Sequence, residues 1–97
     1  MKRIFIRKEA EDDLNEVFAW YEDIRVGLGE EFIESVEHVL NTISRSPKIY
    51  PSVHEDIRRA FTRKFPFGIF YFESGETIIV LAVMHARKHP SAWRGRT

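Results

Sequence analysis

Apolar residues recur along this chain in two rhythms, and the change between them divides it. Lys2 to Arg7 alternates around Ile4 and Ile6, which predicts a short first strand. From Glu9 to about Asp23 the apolar positions Ala10, Leu14, Val17, Phe18 and Tyr21 follow helical spacing. Glu9, Glu11, Asp12 and Asp13 occupy the first turn, where the helix dipole favours acid. Gly27-Leu28-Gly29 interrupts this helix. Phe32, Val36, Val39, Leu40 and Ile43 then form one stripe of a second helix, which stops before Ser46-Pro47 because proline restricts the residue preceding it. Lys48 to Asp56 has no periodicity and reads as a loop. Beyond it the rhythm changes to strands over Ile57 to Arg63, Phe65 to Glu73 and Thr77 to Met84, the last two joined by a turn at Ser74-Gly75.

The last two strands carry no polar face. Phe67, Ile69 and Tyr71 alternate with Gly68, Phe70 and Phe72, and Ile78, Val80, Ala82 and Met84 alternate with Ile79, Leu81, Val83 and His85. The predicted fold is therefore α+β, a single domain over residues 1–97. Two antiparallel N-terminal helices pack on one face of a mainly antiparallel sheet of about four strands. Two helices cover only one sheet face. The other needs the C-terminal tail, a second copy or another protein, and a partner is expected to cover Ile69, Tyr71, Leu81 and Val83, or the alternate set.

Charge changes this picture more than composition does. The 97 residues have net charge zero, yet up to Ser46 six basic residues face eleven acidic ones, for −5, and the remainder carries nine against four, for +5. A partner feels the local field, so the basic half is expected to face something anionic. The chain has no cysteine, which excludes a disulfide framework and a thiolate site and suits a reducing, cytoplasmic location. No apolar run approaches the roughly 20 residues that span a bilayer, so no membrane role is expected.

The candidate chemistry is cationic. Arg58, Arg59, Arg63 and Lys64 lie on one predicted hairpin, and Arg87, Lys88, Arg94 and Arg96 follow the last strand. The two groups are expected to meet at one sheet edge, with Trp93 or Tyr71 available to stack on a base. The same arginines equally serve to solubilise the strand and pair with the acidic helices. His85 and His89 have the spacing of one helical face, but Pro90 and the preceding strand argue against a helix there, and no metal or cofactor is expected. His85 alone is a candidate general acid or base.

Several pieces, in order, resemble a known group. They are Trp20-Tyr-Glu22, Gly27-Leu-Gly-Glu-Glu-Phe32, Ser46-Pro-x-x-Tyr-Pro51, Ile57-Arg-Arg-Ala60, Lys64-Phe-Pro-Phe-x-Ile-Phe-Tyr71, Val80-Leu-Ala-Val-x-His-Ala-Arg87 and Pro90-x-x-Trp93. Together they resemble the ParE/RelE toxin superfamily, on its ParE or plasmid-stabilisation side. The resemblance implies the toxin of a bacterial type II toxin–antitoxin module, held inactive by an antitoxin, and the expected assembly is a homodimer through the apolar sheet face or a toxin–antitoxin hetero-oligomer. It implies one of two targets. ParE-like members poison DNA gyrase, and RelE-like members cut mRNA on the ribosome. On the second reading Arg59, His85 and Arg87 would surround the scissile phosphate. However, Gly68 stands where those nucleases carry an arginine, and Trp93 where they carry a tyrosine. Losing one donor to a developing oxyanion costs about 10²–10³ in rate, so the nuclease reading is disfavoured. The leading expectation is a gyrase-binding toxin, with Arg58, Arg59, Arg63, Arg87, Lys88, Trp93 and Arg94 as contacts. A non-toxic homologue that only binds antitoxin is the third reading.

Overall fold

The computed structural model describes all 97 residues. The elements are β1 (Arg3–Ile6), α1 (Lys8–Ile24), α2 (Leu28–Arg45), β2 (Ser52–His54), β3 (Ile57–Phe61), β4 (Phe67–Ser74), β5 (Thr77–His85) and a short α3 (Ser91–Arg94). The strands form one sheet in the order β1-β5-β4-β3-β2, antiparallel except for the parallel β1–β5 pair. The sheet thus has five strands where about four were expected. The addition is β2, three residues with an irregular register against β3, too short to show alternation.

The α1–α2 hairpin is set by its glycines and by Glu22. Gly27 adopts φ 93°, a left-handed conformation that glycine adopts without strain. A Cβ on Gly29 would stand 2.7 Å from the Phe18 carbonyl oxygen, so the second glycine allows the helices to touch. Glu22 Oε1 accepts the amides of Gly27 (2.8 Å) and Gly29 (2.9 Å), satisfying two donors where α2 begins. Beneath the hairpin, Tyr21, Phe32, Phe65 and Phe67 pack mostly edge to face, joining the helices to one face of the sheet.

A bulge then changes which residues share a face. Phe70 pairs with Ala82, but Tyr71 pairs with Val80, so Leu81 is an extra residue in β5. Ile78, Val80 and Val83 therefore pack with the helices beside Ile69 and Tyr71, while Leu81, Ala82 and Met84 lie on the other face with Phe70. Strict alternation would have paired Leu81 with Val83. Ile69, Tyr71, Leu81 and Val83 consequently do not form one partner-facing surface, and all four are buried within the chain. The second face is covered largely by the tail. Trp93 on α3 is 4% exposed and lies stacked on Phe70, with ring centroids 4.7 Å apart and planes inclined by 23°.

At the far end of β4, Glu73 accepts from Lys2 Nζ (2.6 Å) and Lys48 Nζ (2.9 Å). The hydrogen bond from Lys2, then that from Lys48, holds its carboxyl below the usual 4.5, while Lys2 is raised from 10.5 chiefly by the same bond. Glu73 thus contributes stability that is present above the unfolded carboxyl pKa and lost as pH falls through the lower native value. The Lys2 contribution is present below the unfolded lysine pKa and lost as pH rises through the raised one. Thermal melts from pH 7 down to pH 3 are expected to fall more steeply for the parent than for Glu73→Gln. Parallel curves would mean that the cluster adds nothing.

Candidate functional site

Arg58 and Arg59 divide between the two faces of the sheet, because adjacent positions on a strand face opposite ways. The turns that carry Arg63–Lys64 and Arg87–Lys88, by contrast, adjoin at one end of the sheet, where the Ala86 amide donates to the Pro66 carbonyl at 2.8 Å. Arg58 pairs with Tyr71, and its Nη1 donates to the carbonyls of Lys48 (3.2 Å) and Tyr50 (2.6 Å), where it holds the loop before β2. Arg59 pairs with Phe70 and lies on the opposite face, the one that carries Trp93, its guanidinium 4.6 Å from the centre of the Phe61 ring. Arg63 and Lys64 border a hollow beside Glu31 and Glu34 of α2, and the Arg63 carbonyl accepts from Ser35 Oγ. Arg87 and Lys88 are exposed in the turn after β5. Arg94 is exposed on α3, its guanidinium 5.7 Å from the Trp93 ring centre.

Neither expected stacking ring is accessible. Trp93 is the tail's anchor in the core. Tyr71 is fully buried, and its hydroxyl donates to the Pro47 carbonyl at 2.6 Å. Burial pushes the Tyr71 phenol up to about 12.

His85, Arg59 and Arg87 are also separated. His85 Nδ1 accepts the Arg87 amide (3.0 Å), and its ring meets Phe67, which packs with the helices. Arg59 is two strands away on the other face.

A cleft of about 660 Å³ opens where β5 outruns β1. One wall is α1 with Asp13, Glu16, Val17 and Trp20, the floor is Phe67 and Val83, and Lys88 and Arg96 of the tail face α1. At its edge Asp13 Oδ2 accepts the Val83 amide (2.9 Å) and Arg96 Nη1 (2.7 Å), and Arg96 Nη1 also reaches the Leu81 carbonyl (3.2 Å). Side chains thereby satisfy β5 groups that have no neighbouring strand.

A family described as the ParE toxin of type II toxin-antitoxin system, parDE, matches residues 4–90. The chain belongs to the ParE toxin family. It is 27% identical over 92 residues to toxin ParE2 from two Mycobacterium tuberculosis strains, CDC 1551 / Oshkosh and H37Rv, covering 94% of this chain and 88% of the relative. The fold is also that of a solved chromosomal ParDE TA system from P. aeruginosa, with a TM-score of 0.65 at 16% identity, over 88% of this chain and 96% of that one.

For a ParE-family toxin, two residues gave no signal in the sequence, Asp13 at the cleft and His54 on β2 at the far edge of the sheet. Asp13 reads as one first-turn acid among four, and only the tertiary fold brings it to Arg96, 83 positions away. His54 lies in a segment read as loop, yet its ring is 6.3 Å from Trp93.

Proposed function

We infer that this ParE-type toxin arrests growth by binding a cellular protein, with DNA gyrase as the target, and that a cognate antitoxin neutralises it. The observation that carries the binding mode is the placement of Arg59 and His85 on opposite faces of the sheet, which leaves no shared place for a scissile phosphate. The free cations Arg59, Arg63, Arg87, Lys88 and Arg94 are the contact candidates that remain at the surface. Trp93 supports Arg94 from below.

For the antitoxin, an accessible concave surface with apolar lining is the cleft beside α1, where Trp20 is 60% exposed. Glu16 and Asp23 beside it, neither in an ion pair within the chain, favour a segment carrying both apolar and basic side chains.

The test is induction of the chain in a bacterium, beside an Arg87→Glu/Arg94→Glu variant and beside co-expression of the neighbouring reading frame. The parent alone is expected to stop growth, with filamentation, broken DNA and intact transcripts. The variant is expected to lose at least tenfold in potency. Mapped cleavage of translated mRNA, or full potency in the variant, overturns the reading.

A further inference from the structure

Five basic side chains of this protein are partly buried, and four have partners. Lys2 has Glu73, Arg7 donates to the Arg96 carbonyl (2.6 Å), Arg58 to two carbonyls, and Arg96 to Asp13. Arg59 has none. Its Nε is fully buried without a hydrogen bond, and its two Nη groups make no bond within the chain. Taking a guanidinium partly out of water without satisfying its donors costs free energy, so this arrangement needs a reason outside the stability of the isolated chain.

Gly68 and Phe61 lay the side chain down, and the backbone beneath it is fixed. A Cβ at Gly68 would stand 3.0 Å from Arg59 Cγ and 3.1 Å from Cδ, so the absence of one lets the stem cross β4. Phe61, 44% exposed, lies against the guanidinium. Ala60, fully buried on the other face, and the Arg59 amide, bonded to the Pro51 carbonyl at 3.2 Å, hold the backbone. A weakly hydrated, planar cation pinned in this way presents its outer N–H groups with little conformational freedom left to lose, the arrangement that suits a two-pronged hydrogen bond to a carboxylate.

A phosphodiester chain fits less well. Beside Arg59 it would need a row of cations, whereas Arg58 is turned to the other face, Arg96 is neutralised by Asp13, and Arg63, Lys64, Arg87 and Lys88 lie in the turns beyond the strands, Arg94 on α3, rather than alongside Arg59 on β3. We propose that Arg59 is the anchor for a carboxylate side chain of the protein target, and that Gly68 is the positioning residue that lays it flat. This rests on the reading that the toxin acts by binding a protein.

The test follows arginine Nε–H signals by nitrogen-15 NMR in the purified full chain while acetate, and separately inorganic phosphate, is titrated in. Growth arrest is measured in parallel. The Arg59 Nε–H is expected to exchange slowly with water and to shift saturably with acetate. Gly68→Ala, checked for an unchanged fold, is expected to weaken that response at least threefold, and Arg59→Lys to reduce potency about tenfold. Gly68→Ala is expected to lower potency when Arg59 is present and to do nothing further in Arg59→Ala. No saturable acetate shift, a stronger response to phosphate, or an equal Gly68→Ala effect with and without Arg59 overturns the proposal. Absence of gyrase binding alongside a specific acetate response overturns the assigned target and leaves the anchor standing.

Discussion

Trp93→Ala is expected to cost about 3–5 kcal/mol of folding stability, the usual range for removing a large aromatic from a core. The ring is stacked on Phe70 and shares a cluster with Ile57, Leu81, Ala82 and Met84, so truncation opens the sheet face that the tail closes. A domain of this size has only about 5–15 kcal/mol in total. At roughly 4–8 °C per kcal/mol, the unfolding midpoint should fall by more than about 12 °C. Trp93→Phe retains a stacked ring and should lose considerably less. Circular-dichroism melts check both, and a loss under about 1 kcal/mol for the alanine variant would mean that the tail is not docked in solution. This separates two causes of inactivity. A Trp93 variant that no longer arrests growth has lost the platform under Arg94, so its soluble amount must be measured before any target contact is assigned to the ring.

The second large effect concerns Asp13. Asp13→Ala removes the acceptor for the Val83 amide and the partner of Arg96 together, which should cost about 2–3 kcal/mol because a charge-assisted bond is lost and a backbone donor is left unsatisfied. Arg96→Ala should cost about half as much, since Asp13 continues to serve Val83. The double variant should lose less than the sum of the two, by about 0.5 kcal/mol or more, since the residues share one network. Urea denaturation of the four proteins measures this coupling. Strict additivity would show that the two side chains do not meet. The coupling also bears on function, because Arg96 ties the tail carrying Arg94 to the helix that walls the cleft.

Much of the fold was legible because helical and strand periods leave different marks. The helix stripe from Phe32 to Ile43 and the Gly27 turn were readable from spacing alone. The two central strands, apolar on both faces, announced that a second layer was needed. The identity of that layer was not readable, because α3 has only four residues and its single apolar anchor, Trp93, sits among arginines that suggest a surface. The bulge at Leu81 was equally hidden. One extra residue moves every later side chain to the other face, and nothing in Val80-Leu-Ala-Val83 marks it.

Among the candidate residues the sequence identified the charges, and the tertiary structure decided what each charge does. Arg58, Arg59 and Arg96 are chemically alike, yet one ties a loop, one lies unpaired over Gly68 and one closes a strand edge. Local sequence determines residue type, period and element, which depend on neighbours within a few positions. The partner of a side chain depends on which strand lies alongside and which face it shows, and only the folded sheet sets those.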